Sequence, residues 1–355
     1  MRPHQIILYG SYGYTGTLIA EECKTKKLDV ILAGRDKAKL TEQSNQTGYP
    51  YDTVDINDPS DSNRKAVLAL LRKGYLVINC AGPFQYTARQ IAEVCLETGT
   101  HYTDIAGEYP VFELLSKFDS NAKKSEILLI PGVGFDVVPT DCLALHLKNR
   151  LPDATHLQLA FAMSNGGLSR GTSKTMVEGM GYGGMIRQNG KLTPIKLGDK
   201  IMEVDFGPFK TKALCIPWGD ISTAWRSTGI QNIEVYSAVP EKMIDVAKLS
   251  RSFNWLLRKR WIKDYLLRKI DKRSAGPTRE KRESGRSYLW GKVWDAQGQV
   301  VEARLETLSG YKLTAITAVL IAENILSDEV RPGYFTPAQY FGEDLILDIE
   351  GTVLH

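Results

Sequence analysis

No stretch of the 355 residues is apolar for long enough to cross a bilayer. The longest helix-like apolar run, Ala315 to Ala322, is far below the roughly 20 residues that a span needs. Cysteine is scarce: Cys23, Cys80, Cys95, Cys142 and Cys215 are odd in number and follow neither Cys-x-x-Cys nor Cys/His spacing. That excludes a disulfide scaffold and a zinc module, no metal ligand set is expected, and reduced thiols in a cytoplasmic protein are the simple reading. The net charge is only +4, too small by itself to argue for nucleic acid as a partner. Met1 to Gly10 runs into a strand-like stretch with no signal-peptide h-region or cleavage site, and there is neither an internal repeat nor a low-complexity tract.

What is present is an ordinary globular balance, 43% hydrophobic and 24% charged, in a chain long enough for two domains. Strand and helix signals alternate over the first part: Gln5 to Tyr9, Asp29 to Ala33, Tyr51 to Asp55, Tyr75 to Asn79, His101 to Asp104 and Ile127 to Ile130 read as strands. Helical stretches such as Ala88 to Glu97 separate them, with Ile91, Val94 and Cys95 at helix spacing. This predicts an α/β fold, a Rossmann-type parallel sheet over 1–137 that binds ligands at the carboxyl ends of its strands. From Val138 the rhythm changes. A helix over Thr140 to Arg150 leads to a strand over Leu157 to Met163, then to a Gly/Ser/Met-rich segment from Asn165 to Gly190. Lys191 to Ile216 and Ser287 to Thr307 read as antiparallel strands, the latter with a turn at Ala296 to Gln299. A second, α+β domain over 138–310 with a mostly antiparallel sheet is expected, followed by a helix over Tyr311 to Leu326.

The residues Gly10, Ser11, Tyr12, Gly13, Tyr14, Thr15 and Gly16 form a G-x-x-G-x-x-G run with a strand before it and a helix after it. In that context Gly10 allows a sharp turn, Gly13 lets backbone approach a pyrophosphate, and Gly16 lets the helix pack on the sheet. The N–H groups of the helix start face the phosphates. After the second strand stands Arg35, 19 residues beyond Gly16, where an NAD-binding chain carries an acid. A guanidinium suits a 2′-phosphate, so NADP(H) is expected as cofactor. Asp36 reads as the N-cap of the next helix. Asp55 is placed to meet the adenine edge or to cap the following turn. Ala81, Gly82, Pro83 and Phe84, after the fourth strand, are expected beside the nicotinamide ribose.

Arg251 to Arg286 holds thirteen Lys/Arg against four acids. Its first part carries Phe253, Leu257, Trp261 and Tyr265 at i, i+4 spacing, and its second part, Asp271 to Arg286, reads as a polar loop. Three readings stand: a surface helix packing this stripe on its own domain, a basic amphipathic helix lying on anionic lipid with Trp255 and Trp261 at the interface, and, ranked last, a nucleic-acid patch. The second reading carries an expectation of peripheral membrane contact.

The segments GSYGYTG, LAGRD, NCAGPF, HYTDIAGE and PGVGFDVVPTD, in that order, resemble the saccharopine dehydrogenase-like NADP-binding family, most closely its branch of saccharopine dehydrogenase-like oxidoreductases and trans-acting enoyl reductases. The resemblance implies a Rossmann domain, an α+β domain, and a C-terminal segment, 311–355, that returns to the first. True saccharopine-forming enzymes use a Tyr and an Asp near the fifth and sixth strand ends, and basic groups for carboxylates. Tyr102, Asp104 and Asp136 correspond loosely, while Arg170, Arg187 and Arg226 are scattered.

Hydride chemistry belongs to the cofactor, so the chain must orient the substrate and handle a proton. Tyr102, as a phenolic donor, and Asp136, as a carboxyl raised by burial, are the catalytic candidates. Asp104 reads as a capping or orienting group, and His101 points to the opposite face of its strand. Two Tyr-x-x-x-Lys pairs, Tyr265/Lys269 and Tyr288/Lys292, fall far from the ligand edge. The Met-rich stretch from Met176 to Met185 suits an adaptable apolar pocket. The expected activity is NADP(H)-dependent reduction of an enoyl or carbonyl group on an apolar, lipid-like substrate. The rivals are a saccharopine-type imine reductase and a non-catalytic nucleotide-binding, membrane-associated protein. A homodimer through the second domain is an analogy from similar architectures.

Overall fold

The computed structural model describes residues 4–164, 167–250 and 254–355. The sequence readings at Asn165, Arg251 and Phe253 fall outside the described residues. The chain divides into two compact units, one of residues up to Asp136 with Tyr311–Pro337, the other of Val137–Gly310 with Ala338–His355.

In the first unit, short runs make parallel strands that are fully buried, as a sheet covered on both faces requires, except at the partly exposed edge strand of residues 51–53. They are β1 (Ile6–Tyr9), β2 (Val30–Gly34), β3 (Tyr51–Thr53), β4 (Leu76–Asn79), β5 (His101–Asp104) and β6 (Leu128–Ile130). Between them run α1 (Tyr14–Thr25), α2 (Lys37–Thr47), α3 (Asp61–Leu71), α4 (Ala88–Thr98), α5 (Tyr109–Leu115) and α6 (Asp119–Lys124). The spatial order is β3-β2-β1-β4-β5-β6, all parallel, with one late strand added beyond β6. The order reverses between β1 and β4, the point at which sheets of this kind bind ligands beyond the carboxyl ends of their strands. Residues of each helix recur toward the sheet: in α4 the buried set is Ala88, Ile91, Ala92, Val94, Cys95 and Thr98.

The second unit begins with α7 (Val138–Arg150) and β7 (His156–Met163). The Met- and Gly-rich segment folds as α8 (Arg170–Gly179) and β8 (Gly184–Gln188), with Met176 half-exposed on α8. Then come β9 (Lys191–Ile195), β10 (Ile201–Asp205), β11 (Lys210–Cys215), α9 (Asp220–Thr228) and β12 (Asn232–Ala238). After α10 (Glu241–Ser250), α11 (Asn254–Leu257), α12 (Arg260–Asp271) and α13 (Arg279–Ser284), a long hairpin closes the sheet, β13 (Arg286–Trp294) and β14 (Val300–Leu308). Among the described residues every pairing in this sheet is antiparallel except β7 with β12. Gly291 on β13 is where α7 comes closest: a Cβ there would meet Leu147 Cδ1 at 2.6 Å.

The final stretch contains α14 (Gly310–Ser327), β15 (Gly333–Tyr334), α15 (Pro337–Phe341) and β16 (Val353–Leu354). It is shared between the units, unlike the expected return of all of 311–355 to the first. In the first unit, Thr317 of α14 donates its hydroxyl to Val133 O (2.8 Å), Thr314 accepts from Phe135 N (3.0 Å), and β15 pairs with β6. Residues 338–355 fasten to the second unit because β16 pairs with β14 and Ala338 N donates to Asp141 Oδ2 at 2.9 Å.

Two sequence expectations change. The run Trp255 to Ile270 is two helices, broken at Arg258 and Lys259, and Trp261 and Tyr265 point outward at 67% and 55% exposure. The stripe therefore does not pack on its own domain. The reason is that Lys263 takes the inner face of α12, where it donates to the Glu178 carbonyl of α8. The expected loop after Asp271 contains the short helix α13, capped by Thr278 accepting from Lys281 N.

Asp141 is fully buried and receives both Ser227 Oγ (2.6 Å) and Ala338 N, so it clasps α7, α9 and the chain end. Hydrogen bonds to a charged group are each worth about 1.5–3 kcal/mol. Asp141→Ala is expected to lower the unfolding free energy by about 3 kcal/mol, measured by urea titration. A loss below about 1 kcal/mol would mean the clasp contributes little.

Candidate functional site

The candidate site at this point of the sheet is built where backbone meets backbone. β1 leads into Gly10, whose φ of +78° turns the chain sharply and whose Cβ position lies 2.8 Å from Ala81 N. Only glycine allows this approach between the β1 and β4 ends. Gly10 N donates to Ala33 O (2.8 Å), and Gly13 N donates back to Gly10 O (3.0 Å). Gly13 is the N-cap of α1, and a Cβ on Gly16 would sit 2.5 Å from Gly10 O, so that position also accepts no side chain. Tyr14 and Thr15 form the first turn of α1, and the Tyr14 ring meets Tyr311 edge-on at 5.0 Å.

At the end of β2, Tyr12 reaches across from the turn. Its hydroxyl accepts from Arg35 N (3.2 Å) and Asp36 N (3.3 Å), and its ring lies where a Cβ on Gly34 would be, 2.6 Å from Cε1. Arg35 is exposed, and among the described residues no carboxylate lies within ion-pair distance of it. Asp36 is the N-cap of α2, accepting from Lys39 N (3.2 Å), which removes the nearest acid from competition for Arg35. Asp55 is half-buried beyond β3, and its Oδ1 accepts from Asn57 N at 3.1 Å, the capping alternative.

The β4 to β6 ends are stitched by one buried network. Asn79 Oδ1 accepts from Ala81 N (3.0 Å), while its Nδ2 approaches Thr87 Oγ1 (3.3 Å) and Tyr102 OH (3.4 Å). Thr87 Oγ1 in turn donates to Ala81 O (2.7 Å). Ala81 is thus held from both its N–H and its carbonyl; Gly82 and Pro83 follow, and Phe84 is buried. Tyr102 is fully enclosed and donates its proton to Asp104 Oδ2 (2.6 Å), and Asp104 Oδ1 accepts from Ala106 N and Gly132 N. Burial lifts the Asp104 carboxyl to about 6 and pushes the Tyr102 phenol well up. Tyr102, expected as a proton donor, has no exposed surface and its hydroxyl is engaged by Asp104. His101 accepts from Leu128 N (3.0 Å) and lies edge-on to Tyr75, a structural role.

Asp136 lies past the β6 end, half-buried, its Oδ2 only 2.5 Å from where a Gly107 Cβ would be. Burial pushes its carboxyl up to about 7, with the neighbouring Glu108 adding to the rise. Glu108, beyond β5, is raised to about 7 by burial as well, against hydrogen bonds from Gly107 N (3.0 Å) and Phe84 N. Glu108 thereby ties the Ala81–Phe84 loop to the carboxyl pair. Sequence reasoning missed Glu108 as a partner of Asp136; the glycine before it, which lets the two strand ends close up, was the available signal. Burial pushes the Cys80 thiol up, away from the thiolate form that a nucleophile needs. Among the described residues, no group of three metal-ligating side chains comes together, and no helix is long and apolar enough to cross a membrane.

Residues 6–130 match the family model described as the saccharopine dehydrogenase NADP binding domain. The first unit is thus similar, over that stretch, to an NADP-binding domain of the saccharopine dehydrogenase type. A saccharopine dehydrogenase-like oxidoreductase of Rattus norvegicus is 26% identical over 215 residues, 55% of this chain and 50% of the relative. A Mycobacterium tuberculosis protein with the provisional name trans-acting enoyl reductase is 26% identical over 186 residues, 50% of this chain and 44% of the relative. The chain thus spans about half the length of the curated relatives it matches. The apo saccharopine dehydrogenase (L-Glu forming) of Saccharomyces cerevisiae shares the fold over 99% of both chains, with a TM-score of 0.68 and 13% identity.

The NADP-binding domain fits its cofactor on its own geometry. Ser11 Oγ is buried with no hydrogen-bond partner among the described residues. A Cβ on Gly13 would meet only the Gly10 carbonyl, at 3.2 Å, so the outer side of the turn is open. Among the described residues the exposed Arg35 has no carboxylate at ion-pair distance, so its guanidinium is open to an anion beyond the end of β2.

The carboxyl pair gives a stability test. Both groups ionise near pH 4 in an unfolded chain but at about 7 in the fold. The folded protein therefore retains protons that the unfolded chain releases. Their stabilisation is full below about pH 4 and is lost as the pH rises to about 7. In Asp136→Asn the melting temperature should exceed that of the parent by an increasing margin across that window. A constant offset would show that Asp136 ionises normally.

Proposed function

We propose that this protein is an NADP(H)-dependent oxidoreductase that reduces an enoyl or carbonyl group on an apolar, lipid-like molecule. The observation that carries the reading is the meeting of Gly10 and Ala81 at the sheet's switch point, with Arg35 on one side of it and the Glu108–Asp136 pair on the other. When bound, NADPH supplies a hydride at its nicotinamide ring. The open turn from Ser11 to Gly16 receives the diphosphate on backbone N–H groups and the positive end of α1. Arg35 holds the 2′-phosphate, and Asp55 lies toward the adenine. Ala81, Gly82, Pro83 and Phe84 shape the floor beside the nicotinamide ribose. Asp136, protonated near neutral pH with Glu108 as neighbour, delivers the proton that completes the reduction and recovers it from solvent. Tyr102 and Asp104 hold the strand ends beneath them.

The name of the mycobacterial relative supports an enoyl group as the acceptor. Saccharopine-type imine chemistry has less support. Of the three arginines available to grip carboxylates, Arg187 is buried on the Gly190 and Ile221 carbonyls, 4.0 Å over the Trp225 ring. Arg170 reaches the Asp271 carbonyl, and Arg226 lies over the same Trp225 ring.

Two measurements test the reading. Arg35→Asp should weaken NADPH binding by roughly tenfold to a hundredfold in calorimetry and move preference toward NADH, as loss of one bidentate charged contact implies. Unchanged NADPH affinity removes Arg35 from the phosphate site. Loss of NADPH absorbance should be fast with enoyl or carbonyl lipids and slow with an amino acid plus a keto acid. The reverse order favours the imine reductase, and binding without any turnover favours a non-catalytic role.

A further inference from the structure

The second unit carries a helix whose charged and aromatic faces are exchanged relative to an ordinary surface helix. On α12 the inward residues are Ile270 and, unusually, Lys263, which is 4% exposed, hydrogen-bonded to Glu178 O, ion-paired with Glu178 and 4.9 Å from the Tyr182 ring. The outward residues one turn apart are Trp261 and Tyr265, and Trp255 on the preceding α11 is 63% exposed. The placement is held from several sides. Arg258 donates to Gly181 O (2.8 Å), Arg260 pairs with Glu178 (3.3 Å), and Lys174 of α8 pairs with Asp271 (2.6 Å). The aromatic rings are outward because the layer beneath them is built, not because α12 lacks a packing partner.

Three large aromatic rings in water forgo the burial that such side chains normally obtain, and a surface that presents them together marks a contact site. Cations surround these rings: Arg258, Lys259, Arg260, Arg268 and Lys269 are all exposed, and Lys269 lies 4.6 Å over the Tyr265 ring. A second copy of the same face would meet like charge with like charge, which disfavours self-association. Indole and phenol rings flanked by Lys and Arg match the boundary of an anionic bilayer, where rings sit at headgroup depth and cations meet lipid phosphates. We propose that the face formed by Trp255, Trp261 and Tyr265 with the cations of α11 and α12 docks the protein on an anionic lipid surface. The contact is peripheral, and it stands apart from the reductase reading because it needs neither cofactor nor turnover.

The test is co-sedimentation of the full chain with vesicles of phosphatidylcholine and phosphatidylserine in equal parts, and with phosphatidylcholine alone. Binding is expected only with the anionic vesicles, with a blue shift of tryptophan emission and release as salt is raised. The exposed triple variant Lys259→Gln, Arg268→Gln, Lys272→Gln should bind roughly fivefold more weakly per cation, roughly a hundredfold in all. Trp261→Ser with Tyr265→Ser should lose most of the binding and the emission shift, with circular dichroism and melting unchanged in both variants. Absence of binding to anionic vesicles, equal binding to phosphatidylcholine alone, or unaltered binding by folded variants each overturns the proposal. So does a concentration-dependent dimer, or retention of a single-stranded oligonucleotide, that Trp261→Ser abolishes while vesicles fail to bind.

Discussion

The first unit depends on one close approach of main chain to main chain. Where β1 and β4 part company, Gly10 passes Ala81 with no room for a β-carbon, and Gly16 closes on the Gly10 carbonyl from the helix side. The consequence is a turn whose N–H groups face outward at the helix start, with the sheet rigid behind it. A dinucleotide can be bound at such a turn because side chains are kept off it.

Around that approach the residues sort by what they hold. Tyr12 is the connector on one side: its ring lies on Gly34 and its hydroxyl accepts from the amides of Arg35 and Asp36, which ties the glycine turn to the end of β2. On the other side Asn79, Thr87, Tyr102 and Asp104 form a buried polar chain, with Ala81 gripped at both ends. Such networks are worthwhile only when their members are satisfied, and this one fixes the floor on which the carboxyl pair stands. Burial raises both Glu108 and Asp136, with Asp104 adding to the rise of Glu108 and Glu108 to that of Asp136, an arrangement typical of a site that handles a proton near neutral pH.

The second unit is organised differently. Its sheet is antiparallel apart from one pair, its last strand comes from the chain's extreme end, and its outer helical layer turns aromatics to solvent over a buried lysine. The exposure of Trp261 and Tyr265 follows from the Lys263–Glu178 contact, a preference for pairing a charge over burying a ring at that position.

The sequence alone determined the alternation of strands and helices of a parallel sheet, the position of the glycine turn, Asp36 as N-cap and Arg35 as the group beyond the second strand, because each follows from local periodicity or from spacing along one chain segment. Tertiary structure decided what depends on residues distant in sequence. Tyr102 was legible as a strand-end phenol, yet only its partners Asn79 and Asp104 withdrew it from solvent. Asp136 was legible, but its neighbour Glu108 became one only when two strand ends met over Gly107. The basic helix showed its stripe in the sequence but not its orientation, since periodicity defines a face without saying which way it turns; that was set by an acid 85 residues earlier in the chain, whose carbonyl and carboxylate drew Lys263 inward.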